Sequence, residues 1–432
     1  MDKSLVSAEE ITKKEIASWA MFDFANSSYV TVVSTAVFNA YFVGEVARSL
    51  GSGKATLYLT SLIAFSNLLV VLSAPVIGAL ADFTARKKRL LLITSILLVI
   101  ATILLGFVSP GAIWFGLVVL GVANLMFGTG EDLIAAFLPE IANQHNMGRI
   151  SALGWGVGYI GGLGVLAACL AYIKWAESLG QQSYQYVPVT MWIVAAVFTL
   201  ASLPTFLFLK ERAEPQVVPG GESFVSIGFK RLKETFLNRG AYRDMFVFLA
   251  ALLAFTSGST TVAVMAAVYA EQVMGFKTSD TVLMIMVVNV AGALGAFGFG
   301  FIQDRLGSKK AVALSLIIWI ISVSLVIASA EKAYFWAGAV LMGLSMGGSA
   351  SCGRALIGQF APPSRAAEFF GLWGLAVKAA AILGPMSYGL FTYLSGGDFR
   401  IALFSTIAYF VIGLVILFFV DEKRGMEAAR LQ

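Results

Sequence analysis

Five ionisable residues of this chain stand where charge is costly. Asp23, Glu131, Asp132, Arg354 and Lys378 each fall inside a long apolar stretch, and a charge near the centre of a lone inserted helix costs roughly 2.5–3.5 kcal/mol. Such side chains face a cavity or one another. Three acids and two bases support three kinds of chemistry. They can form a gate whose ion pair breaks as a pathway opens. They can cradle a zwitterion, with Arg354 or Lys378 taking a carboxylate and an acid taking an ammonium. Or one acid can bind and release a proton, because desolvation and a neighbouring cation push a carboxyl pKa in opposite directions. A structural pair that only locks helices together is the remaining reading. Glu131 and Asp132 are adjacent, so on a helix they project about 100° apart and only one of them need face a cavity.

Other chemistry is poorly supported. The chain has one histidine, His145, and two separated cysteines, Cys169 and Cys352, both in apolar stretches. These cannot build the usual His/Cys metal cluster or a disulfide framework. No nucleophile–base constellation is present, so no catalytic residue, metal or cofactor is expected, and the chain is not read as an enzyme. Gly156-Val157-Gly158-Tyr159-Ile160-Gly161 matches a dinucleotide fingerprint, but it lies within an apolar helix with no preceding strand. Gly154, Gly158 and Gly162 recur every four residues, which suits close helix packing in lipid. Asn26-Ser27-Ser28 fits a glycosylation sequon but is out of reach inside an apolar stretch.

The elements that position these residues follow from composition. Hydrophobic residues make up 58% of the chain and charged residues 13%, too little charge for a soluble surface at this length. Twelve stretches reach the roughly 20 residues a bilayer span needs: about 17–43, 57–81, 90–108, 112–139, 151–175, 188–209, 244–272, 281–303, 311–329, 334–360, 367–394 and 400–420. With both termini cytoplasmic, 22 of the 30 Lys and Arg residues lie inside, six outside, and two, Arg354 and Lys378, within spans. That asymmetry satisfies the positive-inside rule and accounts for the net charge of +5 without nucleic acid. The first fourteen residues are polar and the first apolar run is too long for a cleavable signal. The expected organisation is a cytoplasmic segment 1–16, a six-helix bundle 17–209, a linker 210–243, a second six-helix bundle 244–420 and a tail 421–432. The linker carries Pro215, Pro219, Gly220 and Gly221, and its second part, with Val225, Phe229, Leu232 and Phe236 beside Lys230, Arg231 and Lys233, has helical amphipathic spacing.

The two halves repeat a motif. Gly78-Ala79-Leu80-Ala81-Asp82 precedes Arg86, Lys87, Lys88 and Arg89, and Gly300-Phe301-Ile302-Gln303-Asp304 precedes Arg305, Lys309 and Lys310; the two aspartates stand 222 positions apart. Each closes an even-numbered span at the cytoplasmic face. There a carboxylate can meet the N-terminus of another helix and pair with a nearby arginine, Arg86 or Arg305, forming a latch that breaks when the halves rock apart. The same offset carries Asp132 to Arg354, which sets the two at one depth in corresponding spans and predicts that they face each other. Asn67, Asn124 and Asn289 have weaker claims as interhelical contacts, and Tyr29, Phe38, Tyr41, Tyr269 and Glu271 stand where an outward exit would be lined.

The second copy, Asp304-Arg305-Leu306-Gly307-Ser308-Lys309-Lys310, resembles the signature loop of the major facilitator superfamily. The first copy departs from it, with Phe83 and Ala85 where a base and a glycine are usual. Trp19 to Tyr29 resembles the opening span of the vacuole-effluxer-like branch of that superfamily. So do Phe137-Leu138-Pro139-Glu140-Ile141-Ala142 and Gly148-Arg149-Ile150-Ser151 through Gly162, and in the second half Pro362-Pro363, Ala367 to Leu372, Lys378 and Leu383-Gly384-Pro385. The resemblance implies an all-α membrane protein of twelve transmembrane helices in two six-helix halves, with spans one, four, seven and ten lining a central cavity. It adds Asn26 to the candidate substrate or coupling residues, and Glu140 and Arg149 to the latch. It implies a secondary transporter working by alternating access on a small polar solute, with amino-acid export as the branch's activity. Proton coupling is expected, since no cluster of oxygen ligands builds a sodium site. A drug or organic-anion exporter is the alternative, and a non-transporting receptor a further one. The expected setting is a monomer in the lipid bilayer of a bacterial inner membrane.

Overall fold

A bilayer offers no water to unpaired amides and carbonyls, so an apolar segment that crosses it must satisfy its backbone within itself, as a helix does. The computed structural model describes residues 11–143, 146–216, 223–237, 240, 242–275, 278–328, 331–395 and 399–431. His145 and the Pro219-Gly220-Gly221 part of the linker lie outside the described residues. The first half contains α1 (Lys13–Val46), α2 (Ser52–Thr84), α3 (Lys87–Leu105), α4 (Ile113–Ala135), α5 (Met147–Ser178) and α6 (Ser183–Phe208). A linker helix α7 (Phe224–Leu237) follows. The second half contains α8 (Arg243–Gln272), α9 (Thr278–Leu306), α10 (Ser308–Ala328), α11 (Lys332–Phe360), α12 (Ala366–Leu394) and α13 (Phe399–Phe418), and α14 (Glu422–Arg430) ends the described chain.

A helix stands at each of the twelve expected spans. Among the described residues, ten helices are long and apolar enough to cross a membrane, or eleven if the bent pair Leu403–Phe418 and Glu422–Arg430 is one span. Helix α11 is 29 residues long, but glycines, serines and Arg354 dilute its apolar character. Within the first half α1 packs on α5 and α6, and α3 on α4; within the second, α9 and α10 pack on α11, and α8 on α12 and α13. The halves meet through α5 with α9 and α11, and through α2 with α12. In the glycine row of α5, side chains at Gly158 and Gly162 would collide with Ser27 and Thr31 of α1, so their absence lets the two helices approach.

Each half is braced at the end carrying the termini by the same device. The Glu211 carboxylate accepts from the backbone amides of Lys87 (2.5 Å) and Lys88 (3.2 Å) at the start of α3. Glu422 does the same for Ser308 (2.8 Å) and Lys309 (3.0 Å) at the start of α10. Burial pushes the Glu211 carboxyl above its ordinary pKa range, against the opposing pull of the Lys87 and Lys88 amides. At the first helix of each half, Glu15 takes Arg212 and the amide of Lys210, while Asp244 takes Arg424 and the amide of Asp421. Carboxylates at helix starts satisfy orphan amides and complement the helix dipole.

The two departures in the first signature loop each have a structural consequence. Ala85 is the one described non-glycine residue at positive φ, +49°, and Gly307, at the corresponding position 222 residues on, has φ +90°. Phe83 joins Ala79 and Ile227 in a small buried cluster that seats α7 on α2, and the Arg231 guanidinium lies 3.9 Å from its ring centre. The opposite side of α7 leaves Val225 and Phe229 exposed.

A left-handed conformation costs an L-residue with a Cβ roughly 1–2 kcal/mol. Exchanging the residues between copies should therefore act in opposite directions. Ala85→Gly should raise the stability of the detergent-solubilised protein by about 1 kcal/mol and Gly307→Ala should lower it by a similar amount, read as shifts in thermal unfolding. Equal shifts of the same sign would refute this account of the loop.

Candidate functional site

The five membrane-depth charges gather where α1, α4, α5, α11 and α12 meet. Arg354 on α11 donates from one guanidinium nitrogen to Asp23 Oδ2 at 2.8 Å. It also donates to the Ser151 hydroxyl at 3.2 Å and the Ser151 carbonyl at 2.8 Å. Its guanidinium carbon lies 4.8 Å from the Trp19 ring centre and 5.4 Å from that of Trp155. The pair joins the two halves and is almost enclosed, with 5% of the Arg354 side chain and 12% of that of Asp23 exposed. Gly154 makes the space: a Cβ there would run into Asp23, Arg354 and Trp19. A buried ion pair withstands desolvation only with such geometry and further hydrogen bonds.

This is not the expected partner. The repeat places Asp132 and Arg354 at one depth, but Arg354 takes Asp23, and Asp132 turns to α12. There the Asp132 carboxylate occupies the space left by Gly374, while one turn on, Lys378 passes beside Gly128 of α4. The two Gly–charge pairs are reciprocal, each glycine four residues from the charge on its own helix. Lys378 Nζ lies 4.0 Å from Glu131 Oε2 and acts electrostatically on Glu131 and Asp132 alike. Asp132 Oδ1 is buried without a hydrogen-bond partner. Three carboxylates thus share two cations, a formal excess of one negative charge. Asn26 is buried on α1 one turn beyond Asp23.

Glu131 is the most open member of the group, with 31% of its side chain exposed. It lines a cavity of about 190 Å³ between α4, α5, α8, α11 and α12, with Trp155, Tyr159, Phe255, Thr260 and Trp373 among the other walls. Trp155 Nε1 and the Tyr159 hydroxyl are buried there without partners. Of the residues expected near an exit, Tyr29 donates to Asn124 at 3.0 Å and Tyr41 to the Val108 carbonyl at 2.9 Å, so both are committed inside the first half. Asn289 donates to its own helix.

Below this layer, at the end bearing the termini, two carboxylates cross between halves. Asp82 closes α2, and its oxygens accept from the amides of Ala367 (3.2 Å) and Glu368 (3.3 Å), the first turn of α12. Asp304 near the end of α9 accepts from the amide of Arg149 (3.3 Å) in the first turn of α5 and pairs with the Arg149 side chain at 3.4 Å. Gly78 and Gly148 permit these approaches, since a Cβ at either would press on the partner segment. Glu140 pairs with Lys87 and accepts from the amide of Arg212 at 2.7 Å. Of the expected latch cations, Arg149 pairs with Asp304, while Arg86 and Arg305 are exposed and form no ion pair among the described residues; Lys87, which was not expected there, pairs with Glu140. Ser151, Trp155 and Lys87 were not singled out as site residues, although the Gly148-Arg149-Ile150-Ser151 segment that carries the family resemblance contains the first of them.

This arrangement of two six-helix halves around a central charged layer, closed at one end, is that of the major facilitator fold. The human organic anion transporter MFSD10 (TETRAN) superposes with a TM-score of 0.73 at 11% identity, over 94% of this chain and 99% of that one. The proton:xylose symporter XylE bound to 6-bromo-6-deoxy-D-glucose gives 0.70 at 16%, over 95% and 96%. A bacterial homologue of the iron transporter ferroportin in its outward-facing state gives 0.70 at 14%, over 94% and 99%. The sequence model of the family described as vacuole effluxer Atg22 like matches residues 53–149 and 146–430, and the chain belongs to that family. It is 28% identical over 432 residues to the uncharacterized MFS-type transporter YxiO of Bacillus subtilis, covering 98% of each. It is 25% identical over 301 residues to autophagy-related protein 22-1 of Aspergillus niger, a match that spans 65% of this chain and 48%, about half, of the fungal protein. The chain is therefore a multi-pass membrane protein of a transporter family.

If the Arg354 pair is the principal link between the halves at this depth, leaving one charge unpaired should be expensive. Asp23→Ala should cost about 3–5 kcal/mol of stability, whereas Asp23→Ala combined with Arg354→Leu should cost markedly less, as measured by thermal unfolding in detergent. Additive losses in the double variant would show that the two side chains act independently.

Proposed function

We propose that this protein is a secondary active transporter that moves a small polar solute by alternating access and couples the movement to a proton. The observation that carries this reading is the shared cation. Lys378 stands between Glu131, which opens on the cavity, and Asp132, which is enclosed and lacks a partner for one oxygen. A proton on Asp132 cancels the excess negative charge and leaves Lys378 to Glu131. Loss of that proton draws Lys378 toward Asp132 and frees Glu131 for solute. The Asp23–Arg354 pair anchors the layer beside it.

The two carboxylate caps at the terminus-bearing end serve as the latch. Both join one half to the first turn of a helix in the other, so both must break when that end opens. With the termini in the cytoplasm of a bacterium, as the basic residues favour, the conformation is closed inward and its cavity belongs to the outward pathway. The protein acts as a monomer in the inner membrane. An organic-anion exporter fits less well, because no lysine or arginine is among the described residues that line the cavity.

Flux through proteoliposomes of purified protein, screened with amino acids, amines, sugars and nucleosides, tests the proposal. Absence of flux for every class would favour a receptor. For a solute that does move, Asp304→Asn should slow transport at least several-fold without unfolding the protein, and a full rate would reduce the cap to a polar turn. Asp132→Asn should abolish accumulation driven by a pH gradient yet preserve solute exchange without a gradient. Undiminished accumulation would remove Asp132 as the proton carrier.

A further inference from the structure

A zwitterionic solute needs two counter-charges in the cavity, and the cations are already engaged. Arg354 is paired with Asp23 and donates to both oxygens of Ser151, with the rings of Trp19 and Trp155 near its guanidinium. The Lys378 side chain is 9% exposed and lies 4.0 Å from Glu131, one turn along α12 from the glycine that seats Asp132. The ionisable group among the residues lining the cavity is Glu131, and Trp155, Tyr159, Phe255 and Trp373 line the same cavity. A carboxylate among aromatic faces recognises a cation, by Coulomb attraction and by attraction to the ring quadrupoles.

The charge arithmetic leads to the same ligand. Asp23 is matched by Arg354. If Lys378 is given to Asp132, whose buried Oδ1 lacks a hydrogen-bond partner, Glu131 is left unmatched and one positive charge completes the set. The cavity, about 190 Å³, is smaller than the roughly 300–1,000 Å³ that holds a drug-sized ligand.

We propose that the cavity selects small organic ammonium ions, an aryl- or alkylamine held with its nitrogen on Glu131 and its apolar body between the aromatic rings, and that a free carboxylate on the solute is selected against. This assignment rests on the transport reading for its physiological role. A carboxylate on the same solute would lie near Glu131 with no free base to receive it, so an amino acid binds less well than the amine it resembles.

Three probes of nearly the same shape decide the matter: phenethylammonium, phenylalanine and 3-phenylpropionate, which present a cation, a zwitterion and an anion. Binding to the purified full-length protein is measured by isothermal titration calorimetry, and counterflow is measured in proteoliposomes. Phenethylammonium should bind at least ten-fold more tightly than either of the others. Glu131→Gln should weaken that binding at least ten-fold, and Trp373→Leu should weaken it several-fold while leaving the Glu131 charge in place. Ammonium-selective binding without counterflow would uphold the site and remove the transport reading. Preference for phenylalanine or phenylpropionate, equal binding of all three, or no binding of phenethylammonium would each overturn the ammonium assignment. Counterflow of another solute in any of those cases would leave the transport reading standing. Should Glu131→Gln fail to fold, the ranking of the three probes on the unaltered protein and the Trp373→Leu result still decide.

Discussion

Two carboxylates cross from one half to the first turn of a helix in the other, at the end that the proposed latch holds closed. A helix start exposes amides with no partner and a partial positive charge, and Asp82 and Asp304 meet that need at α12 and α5. The interaction depends on how the halves are placed, because the amides belong to one half and the carboxylate to the other. Around it the sequence supplies what close approach requires: Gly78 and Gly148 where a side chain would obstruct, and α7 seated by Phe83 beside the Asp82 cap. The intra-half braces at Glu211 and Glu422 do not cross the interface. On the proposed alternating access, each half turns as a unit and the crossing contacts are the ones exchanged.

The charged layer within the membrane follows the same logic of space and counter-charge. Gly154, Gly128 and Gly374 each provide room for a buried ionisable group from a neighbouring helix. Low dielectric makes every unmatched charge costly, and on the proposed function the excess carboxylate is balanced by a species that enters and leaves. A proton and a cationic solute are the two species of the right sign and size, and competition between them for one excess charge is a simple basis for coupling.

Much of this was legible in the sequence. The helices at the twelve expected spans and the repeated aspartates follow from hydropathy and an offset of 222, because those depend on backbone depth. The pairing of the buried charges does not. Repeat arithmetic sets Asp132 and Arg354 at one depth but says nothing of azimuth, and azimuth sent Arg354 to Asp23 through the space at Gly154 and Asp132 to Gly374. Glu211 and Glu422 escaped notice for another reason. They lie in charge-rich segments beside Lys210, Arg212, Asp421 and Lys423, where only the fold distinguishes a helix cap from a solvated acid. Arg86 and Arg305 stay exposed just after the end of α2 and in the last turn of α9, whereas Arg149, which the family resemblance adds to the latch, pairs with Asp304, and the unforeseen Lys87 pairs with Glu140.

The most direct test of the account is the separation of the two halves at the terminus-bearing end. Spin labels placed on exposed positions at that end of α2 and α12, and of α9 and α5, report it by pulsed electron–electron distance measurement. For the unaltered protein the account predicts a dominant short distance for both pairs. For the combined Asp82→Asn and Asp304→Asn variant it predicts a second, longer population at that end. Distance distributions that do not change when both carboxylates are neutralised would contradict the claim that these two caps hold the molecule closed.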